Sequence, residues 1–284
     1  MSVKKKIVFV SATLILLLLI AWIAWGNTAL ELNTYTITSE KIPDAFNGYR
    51  IAQVSDLHNT QIGEDSEKLL SMLKDSDPDM IAITGDMIDS RNTNVEIALE
   101  FAAEAVKIAP CYYVTGNHES RVSEYIELKE GLSELGVSIL DNKGIAIEHE
   151  NSTIILLGVD DPTFNTDPTL GGDASVINTH IKEIKWQDDY FMILLSHRPE
   201  LFQVYAENGM DLVLSGHAHG GQFRLPFVGG MIAPHQGLFP DYYEGLYTEG
   251  NTNMIVSRGI GNSIIPVRFN NRPEIVLIEL KSEE

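Results

Sequence analysis

This chain has little cysteine and little positive charge. A single cysteine, Cys111, rules out an intramolecular disulfide and any cysteine-rich zinc site. It stands in "PCYYVT", an apolar strand-like run, and reads as a buried inert thiol rather than a nucleophile. Lysine and arginine together number 20 against 40 aspartates and glutamates, a net charge of -20. Such a body repels polyanions, so no nucleic acid partner is expected. No internal repeat, low-complexity tract or Pro/Gly/Ser-rich linker divides residues 45 to 284. Hydrophobic residues at 44% and charged residues at 21% match a globular protein with a real core, and 284 residues suit one large domain.

One long uncharged run is present. "MSVKKK" carries three lysines, and Ile7 to Trp25 follows without a charge. A bilayer-spanning helix needs about 20 apolar residues, whereas a secretory core is usually about 7–15. The run therefore reads as an uncleaved signal anchor over residues 1–26, with residues 27–284 as the body. The small residues of "AWG" at 24 to 26 leave cleavage open. Lysines before the span and none just after it place the N-terminus in the cytoplasm and the body outside the cell membrane, in single-pass topology.

Short apolar runs recur along the body: "YRIAQVS", "MIAITG", "CYYVTG", "STIILLGV", "YFMILLS", "MDLVLSG", "NMIVSRG" and "EIVLIEL". Their length and β-branched content suit buried strands. Helix-like spacing near 64–76, 92–108 and 120–135 alternates with the early ones, which implies an α/β fold with mainly parallel pairing at first. Later, "KGIAIEHE" and "STIILLGV" read as a hairpin, and a second sheet is expected.

The residues that close these runs are chemically alike. Asp56 and His58 follow the first, Asp86 the second, and Asn117, His118 and Glu119 the third. His197 follows "YFMILLS", and His217 and His219 follow "MDLVLS" in "GHAHGGQ". Open α/β sheets place ligands at the carboxyl edge of their strands, where loops distant in sequence converge. Mixed imidazole, carboxylate and amide ligands suit Mn, Fe or Zn better than Mg or Ca. They are too many for one tetrahedral ion and enough for two divalent ions sharing a carboxylate, the arrangement that clamps a phosphoryl displacement. Gly85, Gly116, Gly216 and Gly220 are expected to let the backbone turn sharply beside the ions.

These five motifs, in this order, resemble those of the calcineurin-like metallophosphoesterases, most closely their bacterial membrane-anchored or exported branch. "GHAHGGQ" and the ending "VSRGIGNSIIPVRFNNRPEIVLIEL" carry the finer likeness, and the resemblance runs from about Thr36 to Leu280. It implies a four-layer α/β/β/α sandwich behind one transmembrane helix. It implies further that Asp56, His58, Asp86 and His219 hold one metal, and Asp86, Asn117, His197 and His217 the other, with Asp86 bridging. His118 matches the histidine that contacts the phosphate and protonates the leaving oxygen.

Other residues carry two readings. Glu119 either orients His118 or is a helix-start carboxylate, and Asp89 reads as a capping or turn residue. Arg198 reads as paired at the surface with one of the many acids, contact with a substrate phosphate being the other reading. His149 and His180 need no functional role. His235 lies in "APHQGLFPDYYEGLY", which suits a substrate-shaping loop or a mobile surface loop. Arg258 and Asn262 follow "NMIVS", where either can line the pocket.

The expected activity is hydrolysis of a phosphomonoester, phosphodiester or pyrophosphate outside the cytoplasmic membrane. Its phosphorylated substrate is expected to be an envelope lipid or wall polymer. The alternative is a non-catalytic receptor or scaffold for a phosphorylated ligand, against which the complete residue set weighs.

Overall fold

Ile51 and Ala52 are neighbours in one strand, yet they belong to different apolar cores. Side chains alternate across a strand, so a run apolar at every position must be covered on both faces. The computed structural model describes residues 2–165, 172–184, 186, 189–262 and 265–283, and it covers these strands on both sides. The chain opens with helix α1 (Val3–Thr28), long and apolar enough to cross a membrane, with none of its residues buried. Strands β1 (Glu31–Ser39) and β2 (Arg50–Val54) follow, then α2 (Glu67–Asp75), β3 (Met80–Thr84), α3 (Val95–Ala105), β4 (Cys111–Val114), α4 (Tyr125–Glu134) and β5 (Ser138–Ile139). The expected hairpin is β6 (Lys143–His149) with β7 (Ser152–Gly158), paired antiparallel. Next come α5 (Asp173–Glu183), β8 (Met192–Leu195), α6 (Phe202–Glu207) and β9 (Leu212–Ser215).

Two short hairpins then stand outside the main sheets: β10 (Arg224–Leu225) with β11 (Gly229–Gly230), and β12 (Ile232–Ala233) with β13 (Gly237–Leu238). Strands β14 (Gly245–Glu249), β15 (Thr252–Val256) and β16 (Glu274–Ser282) complete the chain. The first six-stranded sheet has the order β1-β16-β2-β3-β4-β5 and the second β14-β15-β9-β8-β7-β6. Pairing is parallel from β2 through β5 and from β7 through β9 to β15. The late β16 enters the first sheet antiparallel to β2.

Three apolar layers hold this together. Ala52, Ile81 and Ile83 pack with Leu69, Leu73, Phe101 and Leu128 of the first helices. Ile51, Ala82 and Ile278 meet Leu156, Ile193 and Leu214 between the sheets. Ile155, Leu194 and Val213 meet Ile177, Phe202 and Tyr205 on the far side. Helix α3 turns Ala98, Phe101, Ala102 and Ala105 toward its sheet at intervals of three and four, as an amphipathic helix must. Full burial of a side chain such as Phe101 is worth roughly 1.5–3 kcal/mol. The result is an α/β/β/α stack in which β2, β3, β4, β8 and β9 end at one common edge.

Candidate metal centre

The turns at that edge are tight. Asp56, His58, Asp86, His217 and His219 all have φ between 45° and 68°, in the left-handed region. Residues other than glycine adopt such angles less readily, and although others occur in turns elsewhere, such as Asp77 and Asn142, these five are gathered at one edge. A Cβ on Gly116 would fall on Asp86 Oδ1, and one on Gly216 would fall on the Ser55 hydroxyl and Asp56 Oδ2. These glycines thus make room for the carboxylates and for the neighbouring loop.

The turns bring the expected side chains to one place. Ligand atoms of Asp56, His58, Asp86 and His219 lie within 4.8 Å of one another, and so do those of Asp86, His197 and His217. Asp86 belongs to both groups. Its Oδ2 is 3.5 Å from His58 Nε2 and 3.2 Å from His197 Nε2. His219 Nε2 lies 3.3 Å from Asp56 Oδ1. Asn117 sits between Gly116 and His118, whose backbone N–H donates to Asp86 Oδ1 at 2.8 Å.

These residues fit two divalent cations. His58 Nε2 faces His219 Nε2 at 3.3 Å, and His217 Nδ1 faces His197 Nε2 at 3.1 Å. Unprotonated imidazole nitrogens pointed at each other this way can both offer their lone pairs to a cation between them. His197 Nδ1 is 2.7 Å from the Thr84 carbonyl and must donate to it, which leaves Nε2 as the free ligand atom. Asn117 Oδ1 is buried with no hydrogen-bond partner. A buried acceptor in that condition is costly unless something positive faces it.

The electrostatics agree. Burial disfavours charge on Asp86, but His197 and His58 outweigh it and hold its carboxyl well below the usual range. Burial likewise works against the His197 imidazolium, yet Asp86 and Asp56 carry it up to about 10. Its neighbour His217 is driven down, first by burial and then by the charge of His197. His219, mainly through burial, falls to about 3. Two buried carboxylates therefore demand positive charge between them. Divalent cations between them would supply it without charging the histidines.

His118 stands beside this cluster. Its Nδ1 accepts from the Ser90 backbone N–H at 3.0 Å, which places the proton of the neutral ring on Nε2. Burial pushes His118 down to about 4, against the pull of Asp86. Asp89 bonds to the backbone and side chain of Arg91, as a turn residue does, but its Oδ1 also lies 3.7 Å from His118 Nδ1.

Several sequence readings need correction. Glu119 does not touch the His118 ring. Its buried carboxylate accepts from the backbone N–H of Asp86 at 3.1 Å, Met87 at 2.7 Å and Gly116 at 2.8 Å, tying two active-edge loops together. Arg198 is not a surface residue: it is 0% exposed and forks onto the buried Asp161 at 2.5 and 2.9 Å. Asp161 carries the same sequence signal as the others, an acid just after the run "STIILLGV". His235 reaches the cluster, with Nδ1 2.9 Å from His217 Nε2 and 2.8 Å from Arg198 Nη1. Arg258 does not line the pocket, since its guanidinium pairs with Glu31 at 2.6 Å and Glu274 at 2.8 Å. Asn262 bonds to Arg268 and the Pro266 carbonyl. His149 packs against the rings of Phe46 and Tyr49, far from the cluster, and His180 lies on α5.

Known proteins are similar to this chain over most of its length. A family model described as calcineurin-like phosphoesterase matches residues 49–221, a span that takes in every residue of the cluster. The uncharacterized metallophosphoesterase YkuE of Bacillus subtilis (strain 168) is 31% identical over 261 residues, 89% of this chain and 86% of that protein. Phosphodiesterase YaeI of Escherichia coli (strain K12) is 27% identical, covering 82% of each chain. A transmembrane protein with a metallophosphoesterase domain from Danio rerio is 30% identical over 86% of this chain and 56% of its own length. The solved structure of TT1561 from Thermus thermophilus shares the fold, with a TM-score of 0.52 at 15% identity over 75% of this chain and 90% of that one. With two groups of histidine and aspartate ligand atoms at its strand ends, suited to a dinuclear divalent metal site, and this match across them, the chain belongs to the calcineurin-like phosphoesterases and is a hydrolase of phosphoric ester bonds.

Proposed function

We propose that the protein hydrolyses a phosphate ester or pyrophosphate of the cell envelope, lipid-linked or carried on a wall polymer, with two divalent ions held by seven side chains. Asp56, His58, Asp86 and His219 hold one ion; Asp86, Asn117, His197 and His217 hold the other. The observation that carries this is Asp86 itself, one carboxylate common to both groups of ligand atoms. Bound ions supply a water of lowered pKa and positive charge for the phosphoryl oxygens. The chain's own residues do the rest. Asp86 fixes the spacing of the two halves, and His118 turns Nε2–H toward the ester. A phosphate beside His118 adds to the pull of Asp86 and raises its affinity for a second proton. Ser90 Oγ, 3.2 Å from Nδ1, and Asp89 Oδ1 are the acceptors that would receive Nδ1–H when the ring charges. His118 can then protonate the leaving oxygen.

The proposed place of action is the outer side of the membrane: three lysines before the span and none just after it support, by the positive-inside rule, a cytoplasmic N-terminus and a 27–284 body outside. Two measurements test these statements. The purified full chain, supplied with Mn(II), is to be assayed on a panel of phosphomonoesters, diesters and pyrophosphates; no turnover on any of them sinks the activity. A reporter active only after export, fused behind Glu284, is to be compared with one active only in the cytoplasm. Activity of the cytoplasmic reporter reverses the orientation.

A further inference from the structure

Among the described residues, most of the large apolar side chains that the body exposes lie in two short stretches, 225–239 and 265–267. Phe227 is fully exposed in the turn of the β10–β11 hairpin, while Leu238 and Phe239, at the end of the β12–β13 hairpin, are 69% and 59% exposed. The stretches form one surface. Gln222 Nε2 donates to the carbonyls of Ile265 and Val267 at 2.8 and 2.7 Å, and Phe239 N donates to the Met231 carbonyl at 2.9 Å. Scattered exposed apolar residues need no explanation, but a gathered patch marks an interaction surface.

The charge pattern narrows the partner. Although the chain has 40 acids, none occurs between Asp211 and Asp241 or between Glu249 and Glu274. Of the four arginines of these tracts, Arg224 pairs with Glu244, Arg258 with Glu274 and Arg272 with Glu31, while Arg268 is buried and spends its guanidinium on the Arg258 and Gly261 carbonyls. The surface is thus apolar and nearly neutral on an otherwise acidic body.

The same surface is fastened to the end of α1. The rings of Trp22 and Phe269 meet edge to face at 5.1 Å, and the Arg272 guanidinium sits 4.8 Å from the Trp25 ring. Asn27 exchanges two hydrogen bonds with the Arg268 backbone, at 2.9 and 2.8 Å. Arg224 N, at the base of the first hairpin, donates to the Phe269 carbonyl at 3.0 Å. At about 1.5 Å per residue, α1 is long enough for a hydrocarbon core of about 30 Å, with Trp22 and Trp25 at the level where interfacial aromatics sit. What touches them stands at the membrane surface.

We propose that the two hairpins form a second membrane contact: Phe227 and Phe239 seat in the bilayer that α1 crosses, and the metal centre opens onto lipid. Behind this rim, a cavity of about 310 Å3 runs to His219, with Ile232, Ala233, Pro234 and Ile265 in its wall. It receives the apolar part of the substrate. The substrate class is a phosphate ester whose alcohol carries an acyl or isoprenoid chain, drawn from the bilayer. This inference rests on the membrane-side phosphoesterase proposed above and narrows its substrate.

The test uses the full chain in phosphatidylcholine–phosphatidylglycerol vesicles. Cys111 is buried and its thiol is pushed up to about 12 by that burial, so an introduced cysteine takes a fluorescent label selectively. Labels on Phe227→Cys and Phe239→Cys are expected to be quenched by brominated acyl chains. A label on Asn251→Cys, exposed at the opposite end of β15, is expected to be spared. Unlabelled protein carrying Phe227→Ser and Phe239→Ser should keep its turnover of a soluble aryl phosphate. Its kcat/KM on vesicle-borne phosphatidic acid should fall about tenfold or more, because each buried phenylalanine accounts for roughly that factor in partitioning. Quenching at 227 and 239 no stronger than at 251 overturns the rim, whatever the activity. Quenching in a protein that cleaves neither ester upholds the membrane seat and overturns the phosphoesterase reading instead. Equal rates of parent and variant on phosphatidic acid overturn the claim that the rim feeds the site.

Discussion

Glu119 holds Asp86 by its backbone: the Glu119 carboxylate accepts the Asp86 N–H at 3.1 Å while the Asp86 carboxylate turns to the metal cluster. Other oxygen–N–H bonds from the same carboxylate reach Met87 and Gly116. A glutamine at this position offers one acceptor oxygen and an amide that meets donors head on. Glu119→Gln is therefore expected to destabilise the protein by about 1–3 kcal/mol, since a buried N–H left unpaired costs that much. Denaturant unfolding measures it, and metal content should fall with it.

Asp86→Asn keeps the size of the shared ligand and lowers its charge. Metal content and turnover are expected to fall together, measured by elemental analysis and phosphatase assay on one sample. Two tightly held ions with full activity would remove Asp86 from its bridging role.

His118→Ala should leave metal occupancy nearly intact if, as proposed, the ring serves the substrate and not an ion. The rate should drop about 10²–10⁴-fold on alkyl phosphates, the usual loss when a general acid is removed. An activated aryl ester, whose leaving group needs little protonation, should suffer less. Equal losses on both would reduce His118 to a phosphate-binding group.

Arg198→Met leaves Asp161 charged and buried without its partner, at a cost of about 3–5 kcal/mol. Adding Asp161→Asn should recover part of that loss. If the double variant is no more stable than the single, the pair is not the source of the effect.

Asp160 sets a pH dependence. Burial, followed by the charge of Asp141, lifts its carboxyl from 3.8 to about 8. The folded value lies above the unfolded one, so its protonated form adds stability that is whole below about pH 4 and is lost as pH rises toward 8. Asp160→Asn should thus raise stability more at pH 8 than at pH 5, by at least about 1 kcal/mol or ~2–4 °C in Tm. Parallel melting curves for parent and variant across that interval would contradict the assignment.

The alternation of apolar runs and helix-like segments made the sheets legible, and the residue closing each run made the cluster legible. Asp56, Asp86 and His197 each lie two residues past the end of a strand, so chain order and the carboxyl-edge rule suffice to bring them together. Partnerships between side chains were not legible. Glu119 and Asp86, or Arg198 and Asp161, stand more than thirty residues apart and meet only because loops from different strands cross at one edge. Arg198 also looked like a surface residue because the chain is so acidic; composition describes the whole surface and says nothing of one buried carboxylate. The apolar rim escaped for a related reason, since 223–239 has no strand or helix period long enough to read.

The central claim is a phosphoesterase that needs two ions around one shared aspartate. It is tested most directly by stripping the purified full chain of metal and titrating Mn(II) back while following both bound ions and hydrolysis of an aryl phosphate. Turnover is expected to stay near zero through the first equivalent and to rise with the second. Full turnover with a single ion per chain, or none with two ions bound, would contradict it.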